Sequence, residues 1–205
     1  MLSLPYNIVL GSQSPRRREI LKNAGFDFRV LDIDYEEVMP EQPFLISDIP
    51  LYLAEQKAIH AKGLHSDDLL ITADTLVFYG DNVIGKPKNR DEAFETLQML
   101  SGNMHEVISG VCISYNGKKE LISDTSKVYF KVFDLKELEY YIDHFNVYDK
   151  AGAYGAQDWI GLIGIERIEG SYFNVMGLPM HKVFESLKKI ENELQSPLRE
   201  TSEGK

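Results

Sequence analysis

The residue types best suited to chemistry near the start of the chain are serine and arginine. They lie together in the run Ser12-Gln13-Ser14-Pro15-Arg16-Arg17-Arg18. This run separates an apolar, strand-like segment from a helical stripe, so Ser14 can cap the helix and Pro15 suits its first position. The arginines then fall at the positive end of the helix dipole, where cations are unfavourable. A bound phosphate would remove this conflict, because backbone N–H, hydroxyl and guanidinium groups converge on its oxygens. The alternative is a solvated basic turn.

Asp74 is the second candidate for chemistry. The sequence places it at the end of an apolar run, Leu69–Ala73, which is typical of a buried strand. A carboxylate there is costly unless it is paired, bound to metal or exposed in a cleft. As a general base or metal ligand, Asp74 would suit hydrolysis of a phosphate ester. As a cap on the turn at Thr75 it would be structural, and both interpretations stay open.

Two lysines and an acidic segment could complete such a site. Lys57 projects from an otherwise apolar helix face, and Lys86 lies in a Gly-Lys-Pro turn. Glu36 and Glu37 belong to an acidic loop whose oxygens could bind Mg²⁺ or Mn²⁺. Taken singly, each has an ordinary alternative, because lysines often extend along apolar surfaces to solvent and acidic runs are often solvated.

Composition narrows the class of ligand. The 205 residues include 32 acidic and 22 basic side chains, giving a formal net charge of −10. Such a chain repels a nucleic-acid polymer unless its basic residues are segregated, and a small phosphate-bearing metabolite fits better. The single cysteine, Cys112, excludes an internal disulfide and favours a buried structural thiol, so we expect a cytoplasmic protein. No run of about 18 apolar residues predicts a membrane span.

The order of predicted elements indicates an α/β fold with a mixed twisted sheet flanked by helices. Residues 1–194 form one domain in this interpretation, and residues 195–205 form a disordered tail. Predicted elements are a helix from about Asp48 to Gly63, a strand over Leu69–Ala73, a helix over Ala93–Leu100, a hairpin at Asn116-Gly117, a helix after Asp134, strands around Ile160–Ile168 and Tyr172–Met176, and a last helix from Pro179.

Several short motifs occur in the order of one known family. They are Ser12-Gln13-Ser14-Pro15-Arg16-Arg17, Ala54-Glu55-Gln56-Lys57-Ala58, Ala73-Asp74-Thr75, Gly85-Lys86-Pro87, Leu100-Ser101-Gly102 with His105, Asp149-Lys150-Ala151-Gly152-Ala153-Tyr154-Gly155 with Gln157, and Gly170-Ser171-Tyr172 to Gly177-Leu178-Pro179. Together they resemble the Maf family of nucleoside triphosphate pyrophosphatases over roughly the whole folded chain. The resemblance implies two lobes around a cleft, a homodimer, and metal-dependent cleavage between the α and β phosphates of a nucleotide.

The resemblance also implies roles for residues at matching positions. Asp74 and Glu37 match the catalytic and metal-site acids, with Glu36 as the alternative to Glu37, and Lys86 joins them as a catalytic cation. The implied substrate-binding residues are Ser12, Arg16, Arg17, Lys57, Lys86 and Gln157. The implied cofactor is a divalent cation, Mg²⁺ or Mn²⁺. Gln157 and the preceding Ala-Tyr-Gly run resemble the branch that takes thymidine and uridine triphosphates.

The sequence departs from the family pattern at two places. Phe145-Asn146-Val147 stands where the family usually has Gly-Glu-Pro, so no role of that glutamate carries over. The segment between Gln157 and Gly170 is one residue longer than the pattern. Alternative functions are a phosphatase or nucleotidyltransferase, a Maf-like enzyme selecting a modified nucleotide, and a non-catalytic nucleotide-binding regulator of cell division.

Overall fold

A computed structural model describes residue 2, residues 4–40, residues 45–194 and the backbone of residues 195–200. Its strands are β1 (Asn7–Gly11), β2 (Phe28–Val30), β3 (Asp68–Tyr79), β4 (Asn82–Ile84), β5 (Met104–Tyr115), β6 (Lys118–Phe130) and β7 (Ile165–Glu169). Its helices are α1 (Pro15–Asn23), α2 (Ile49–His60), α3 (Arg90–Leu100), α4 (Leu135–His144), α5 (Trp159–Gly164), α6 (Tyr172–Val175) and α7 (Met180–Glu200), with short 3₁₀ turns at Ile46–Asp48 and Ala151–Ala153. None of the helices within these ranges is long and apolar enough to cross a membrane.

The strands form one mixed seven-stranded sheet, as the sequence predicts. Its order is β2-β1-β3-β5-β6-β7, and β4 pairs with the distal part of β3. β1 is parallel to β2 and β3, whereas β3, β5, β6 and β7 pair antiparallel. The hairpin between β5 and β6 turns at Asn116 and Gly117, which both have positive φ. The predicted α/β fold with a mixed sheet is therefore confirmed.

Helix α2 lies unusually close to the sheet because β5 carries a glycine beneath it. A Cβ atom at Gly110 would come within 2.3 Å of the Leu51 backbone. Gly110 pairs with Asp74 of β3, so the helix passes directly over the part of β3 that bears the carboxylate. Thr72 on the same face of β3 donates a hydrogen bond to the Ala54 carbonyl at 2.6 Å. Side chains alternate along a strand, so Asp74 shares the face of Thr72 and points toward α2.

The buried apolar residues form two clusters, which we call the first core and the second core. The first core joins α1 and α7 to β1 and the near halves of β3 and β5; it includes Leu10, Leu21, Ile71, Val111, Val183 and Leu187. The second core joins α3, α4 and α5 to the far halves of β3 and β5; it includes Val77, Leu97, Val107, Leu138, Tyr141 and Ile160. The long strands β3 and β5 run through both cores and hold them together.

Three predicted elements differ from the structure. The strand predicted to end at Asp74 continues to Tyr79, because β5 pairs with it from Leu69 to Phe78. Asp74 therefore lies inside a strand. The strand predicted around Ile160–Ile168 is a helix, α5, followed by the strand β7. A short apolar run does not distinguish these alternatives, and the burial of α5 against Phe133 favours the helix.

The strand predicted over Tyr172–Met176 is the short helix α6. Ser171 caps it by accepting a hydrogen bond from the Asn174 backbone N–H at 3.3 Å. At the end of the chain, α7 extends to Glu200, past the predicted start of the tail at Gln195. Residues 201–205 lie outside the described residues, so the domain boundary and the disordered tail stay predictions.

Candidate functional site

A cleft of about 600 Å³ lies where β1 ends and β3 continues. β1 pairs with β3 as far as Thr72, and β4 joins the same edge of β3 only at Val77. Within the described part of the chain, no strand covers the intervening edge, and Asp74, Thr75 and Leu76 line the cleft there. The carboxyl end of a parallel strand is a common place for a binding site, because loops leave the sheet there.

The sequence-predicted site residues converge on this cleft. The residues that line it include Ser12, Arg16, Arg17, Glu37, Lys57, Asp74, Lys86 and Gln157. They come from the turn before α1, α1 itself, the loop after β2, α2, β3, the turn after β4 and the loop before α5. Glu36 does not line the cleft, so the geometry favours Glu37 among the two acids left open by the sequence.

Lys57 connects the two carboxylates of the site. Its Nζ lies 2.6 Å from Asp74 Oδ1 and 2.7 Å from Glu37 Oε1. The Asp74 side chain is only 9% exposed, whereas half of the Glu37 side chain is exposed. The lysine on the apolar face of α2 therefore does not extend to solvent. It neutralises a buried carboxylate and ties the loop after β2 to the helix.

The electrostatics of the site keep Glu37 ionised. Burial raises the pKa of Glu37, but the hydrogen bond and charge of Lys57, with the charges of Lys86 and Arg17, outweigh it and lower the pKa below its usual value. At Asp74, Oδ1 contacts Lys57, while Oδ2 is buried and has no partner among the described protein atoms. This leaves one oxygen of a buried carboxylate available to a water molecule or a cation.

Arg17 is more deeply engaged with the protein than the sequence indicates. Its Nε donates to the Gly177 carbonyl at 2.8 Å, and its two terminal nitrogens donate to Ser12 Oγ and Thr75 Oγ1, each at 3.1 Å. These bonds join the turn before α1 to β3 and to the segment before α7. The predicted contact of Arg17 with phosphate stays a prediction, whereas its structural role is visible.

The rest of the basic turn is built as predicted. Ser14 caps α1 by accepting a hydrogen bond from the Arg17 backbone N–H at 3.5 Å, and Pro15 occupies the first position. Arg16 faces the cleft and contacts Asp149 across it, with 3.3 Å between Nη1 and Oδ2. Lys86, in the turn after β4, also lines the cleft. Gln157 also lines it, and its Oε1 is buried without a described partner.

Polar residues in and behind the cleft wall were not assigned roles from the sequence. His105 and Tyr154 form a buried pair in the second core, with 2.7 Å between Nε2 and the phenolic oxygen. Burial lowers the pKa of His105 to about 4, so its imidazole is neutral at pH 7. Tyr141 donates to Asp158 Oδ2 at 2.9 Å and accepts from the Gly155 backbone N–H at 3.2 Å. Only the motif matches around His105 and Gly155 could have indicated these positions.

The residues present fit a metal that the substrate helps to bind. Among the described side chains, no three from His, Cys, Asp and Glu cluster as a protein-only metal site. Mg²⁺ usually takes one or two carboxylates and completes its ligand set with phosphate oxygens and water. Asp74, with its unpartnered Oδ2, and Glu37, half exposed at the cleft, offer such a pair.

Comparisons with known proteins agree with the sequence motifs. A family model described as Maf-like protein matches residues 7–190. A protein of Parabacteroides distasonis named dTTP/UTP pyrophosphatase is 49% identical over 185 residues, which is 89% of this chain and 95% of the relative. Proteins of the same name from Porphyromonas gingivalis and Flavobacterium psychrophilum are 45% and 47% identical, covering 89% and 86% of this chain and 94% and 91% of the relatives. The chain belongs to the Maf-like protein family.

Proposed function

We propose that this protein hydrolyses dTTP and UTP to the nucleoside monophosphate and pyrophosphate. The observation that carries the proposal is the position of Asp74, a buried carboxylate with one unpartnered oxygen, directly beside a basic helix N-terminus in one cleft. Relatives that match most of the chain bear the name dTTP/UTP pyrophosphatase. A small nucleotide is also the class of ligand that a chain of net charge −10 can accept when its cations are gathered in a cleft.

The reaction requires water to attack the α-phosphorus of a strongly negative substrate. Arg16, Lys57 and Lys86 supply positive charge at the cleft, and the N-terminus of α1 supplies backbone N–H groups. Asp74 Oδ2 orients the water and accepts its proton as the new P–O bond forms, while the bond from the α-phosphorus to the bridging oxygen breaks and pyrophosphate leaves. Lys57 holds Asp74 through Oδ1 and keeps the other oxygen free for this step.

The divalent cation belongs to this proposal. Asp74 and Glu37 would hold Mg²⁺ or Mn²⁺ together with the triphosphate, and the cation would neutralise negative charge on the phosphates. Glu37 is ionised at neutral pH because Lys57 lowers its pKa against the effect of burial. A cytoplasmic location and a homodimer complete the proposal. The motif resemblance supports the homodimer, and light scattering of the purified protein tests it.

The base preference is proposed from Gln157. Its Oε1 is a buried acceptor without a described partner on the cleft wall. Uracil and thymine both carry an N3–H donor, whereas cytosine has an acceptor at that position, so an acceptor in the protein favours the first two bases. The segment containing Gln157 is anchored behind the cleft by Tyr141 and Asp158, which hold the residues on either side of it.

The proposal is tested by incubating the purified protein with dTTP, UTP, CTP, dGTP and a methylated guanosine triphosphate, each with Mg²⁺, Mn²⁺ or a chelator. We expect pyrophosphate and monophosphate from dTTP and UTP, little turnover of the purine nucleotides, and no turnover with the chelator. Release of orthophosphate would instead indicate a phosphatase. Tight nucleotide binding without any product would indicate a regulator.

A further inference from the structure

An ion pair connects the two sides of the cleft. Arg16 lies in the first turn of α1, and Asp149 lies in the loop that follows α4 in the second core. Their side chains meet at 3.3 Å between Nη1 and Oδ2, although 133 positions separate them in the sequence. Arg16 also lines the cleft. The position of its guanidinium therefore depends on a residue from the opposite wall.

Asp149 is itself held firmly on its own side. Its Oδ1 accepts a hydrogen bond from Lys150 Nζ at 2.8 Å. The Lys150 side chain is only 9% exposed, donates to the Asn146 carbonyl and lies 3.5 Å from Asp158 Oδ2. Burial raises the pKa of Asp149, but Lys150 and Arg16 outweigh this effect and lower it below its usual value. Asp149 is thus a fixed carboxylate at neutral pH.

The order of charges explains how an anion beside a triphosphate site can be tolerated. Positive and negative groups alternate along the line Arg16, Asp149, Lys150 and Asp158. Lys150 offsets the charge of Asp149 and so reduces the repulsion between this carboxylate and a phosphate. Only one contact of the Arg16 guanidinium is used by Asp149, and its other N–H groups remain for phosphate oxygens.

We propose that Asp149 is a positioning residue, which orients Arg16 toward the triphosphate while Lys150 neutralises and fixes it. This inference rests on the proposed function and extends it. If the flexible Arg16 side chain is already held in place before the substrate arrives, substrate binding costs less side-chain conformational entropy. The effect should therefore be seen in substrate affinity, and it should require Arg16.

The decisive variant is Asp149→Asn, which keeps the shape and removes the charge. We expect KM for dTTP to rise about fivefold with kcat changed less than about twofold, the scale of a partly exposed ion pair. Asp149→Glu, which restores the charge, should recover part of the loss. The matched control is Asp143→Asn, because Asp143 forms an exposed ion pair with Arg90 on the outer surface of α4, and its kinetics should equal those of the unaltered protein.

The same substitution is then made in an Arg16→Ala background. If Asp149 acts through Arg16, D149N changes KM by less than about 1.5-fold there, and the two effects are not additive. A purely structural role of Asp149 would lower the melting temperature and affect both backgrounds alike. An equal change in both backgrounds overturns the inference, and so does a fall in KM, which would mean that Asp149 competes with phosphate for Arg16.

Binding of an α,β-methylene analogue of dTTP, measured by calorimetry on all five variants and the unaltered protein, separates this inference from the proposed function. Suppose that the unaltered protein binds the analogue, that D149N weakens this binding only when Arg16 is present, and that dTTP yields no pyrophosphate. The proposed function then fails and the positioning role stands. If the unaltered protein hydrolyses dTTP and the analogue shows no such dependence, the positioning role fails alone. Absence of both binding and hydrolysis overturns both.

Discussion

The two cores position their cleft residues by different means. On the side of the first core, Ser12, Arg16 and Arg17 follow directly from β1 and enter α1, so a strand end and a helix cap set the positions of their backbone atoms. On the side of the second core, Asp149 and Gln157 lie in a long connection between α4 and α5. Buried polar contacts involving Tyr141, Lys150 and Asp158 hold that connection. Regular secondary structure thus sets the backbone beside the first core, whereas side-chain hydrogen bonds set the backbone of the loop beside the second core.

This difference has a consequence for variants. Near the first core, exposed charges can change while the backbone stays in place. Near the second core, replacing a buried polar residue leaves its hydrogen-bond partner unsatisfied. The connection between α4 and α5 then loses a contact that holds it. Asp74 lies on β3, the strand common to both cores. Its substitution should therefore change the chemistry of the site without displacing the residues on either side of the cleft.

The largest effect is expected for Asp74→Asn. The amide is a poor base and a weaker ligand for a cation, so kcat for dTTP should fall by about 10³-fold. The melting temperature should change little, because the amide retains an oxygen that can face Lys57. Asp81→Asn, an exposed change in the turn between β3 and β4, serves as the control and should leave kcat unchanged. Near-normal turnover of a folded D74N protein would remove Asp74 from the mechanism.

The second core can be tested through His105 and pH. Burial lowers the pKa of His105 from about 6.5 to about 4 in the folded protein. As the pH falls below 6.5, the unfolded chain binds a proton that the folded protein does not bind until about pH 4, so stability is lost across this window. The loss from this residue should reach about 3 kcal/mol at pH 4. It would be absent in His105→Gln.

The measurement is the free energy of unfolding in urea at several pH values between 4 and 7.5. H105Q should have a smaller decrease toward low pH than the unaltered protein by about the stated amount. His144→Gln removes an exposed imidazole from α4 and provides the matched control. Parallel curves for H105Q and the unaltered protein would show that burial of this imidazole is not linked to folding.

The variant Arg17→Ala tests whether the hydrogen bonds of Arg17, beside the first core, stabilise the fold. Arg17→Ala removes hydrogen bonds to Ser12, Thr75 and Gly177, so we expect the free energy of unfolding to fall by about 2 kcal/mol and KM for dTTP to rise. Arg16→Ala breaks a single partly exposed ion pair and should cost less than about 1 kcal/mol. Chemical denaturation of both variants checks the difference. Equal stabilities would mean that the Arg17 contacts contribute little to folding.

The sequence predicts the first side of the site better than the second for a physical reason. Ser14 and Pro15 are local signals of a helix start, and the structure places both as predicted. The mixed sheet and most helices also follow from apolar periodicity and caps. By contrast, the apolar run that predicts β3 stops at Asp74, and nothing local indicates that Lys57, from a distant helix, neutralises this carboxylate inside the strand.

The contacts of the second side depend on residues far apart in the chain. Nothing local to His105 indicates that it will meet Tyr154, and nothing local to Arg16 indicates Asp149. Helix α5 was predicted as a strand because its short apolar run has no decisive period. Motif resemblance marked several of these positions without giving their physical roles, which only the tertiary contacts supply.

A smaller effect than that of Asp74→Asn is expected on base preference, through the amide of Gln157. The buried Oε1 has no described partner, and in the proposed complex it accepts a hydrogen bond from N3–H of thymine or uracil. Gln157→Leu keeps a similar size but leaves that donor unpaired. We expect kcat/KM for dTTP to fall about tenfold and that for dGTP to change less than about threefold. The preference for dTTP over dGTP therefore decreases. Inhibition by pyrophosphate should not change, because in the proposed complex the phosphates contact Arg16, Lys57 and Lys86 and not Gln157.

Gln98→Leu is the matched control, since Gln98 is exposed on α3 and away from the cleft lining. This control distinguishes the loss of the amide that contacts the nucleotide base from any general effect of replacing glutamine by leucine. If Q157L keeps the full preference for dTTP, the base is selected elsewhere on the cleft wall, and the loop between α4 and α5 serves the triphosphate through Asp149 alone. If Q157L instead loses pyrophosphate inhibition together with base preference, the two sides of the cleft are coupled beyond the contact of Arg16 with Asp149. The contrast between a turn set by regular backbone and a loop set by side-chain hydrogen bonds then does not describe the site.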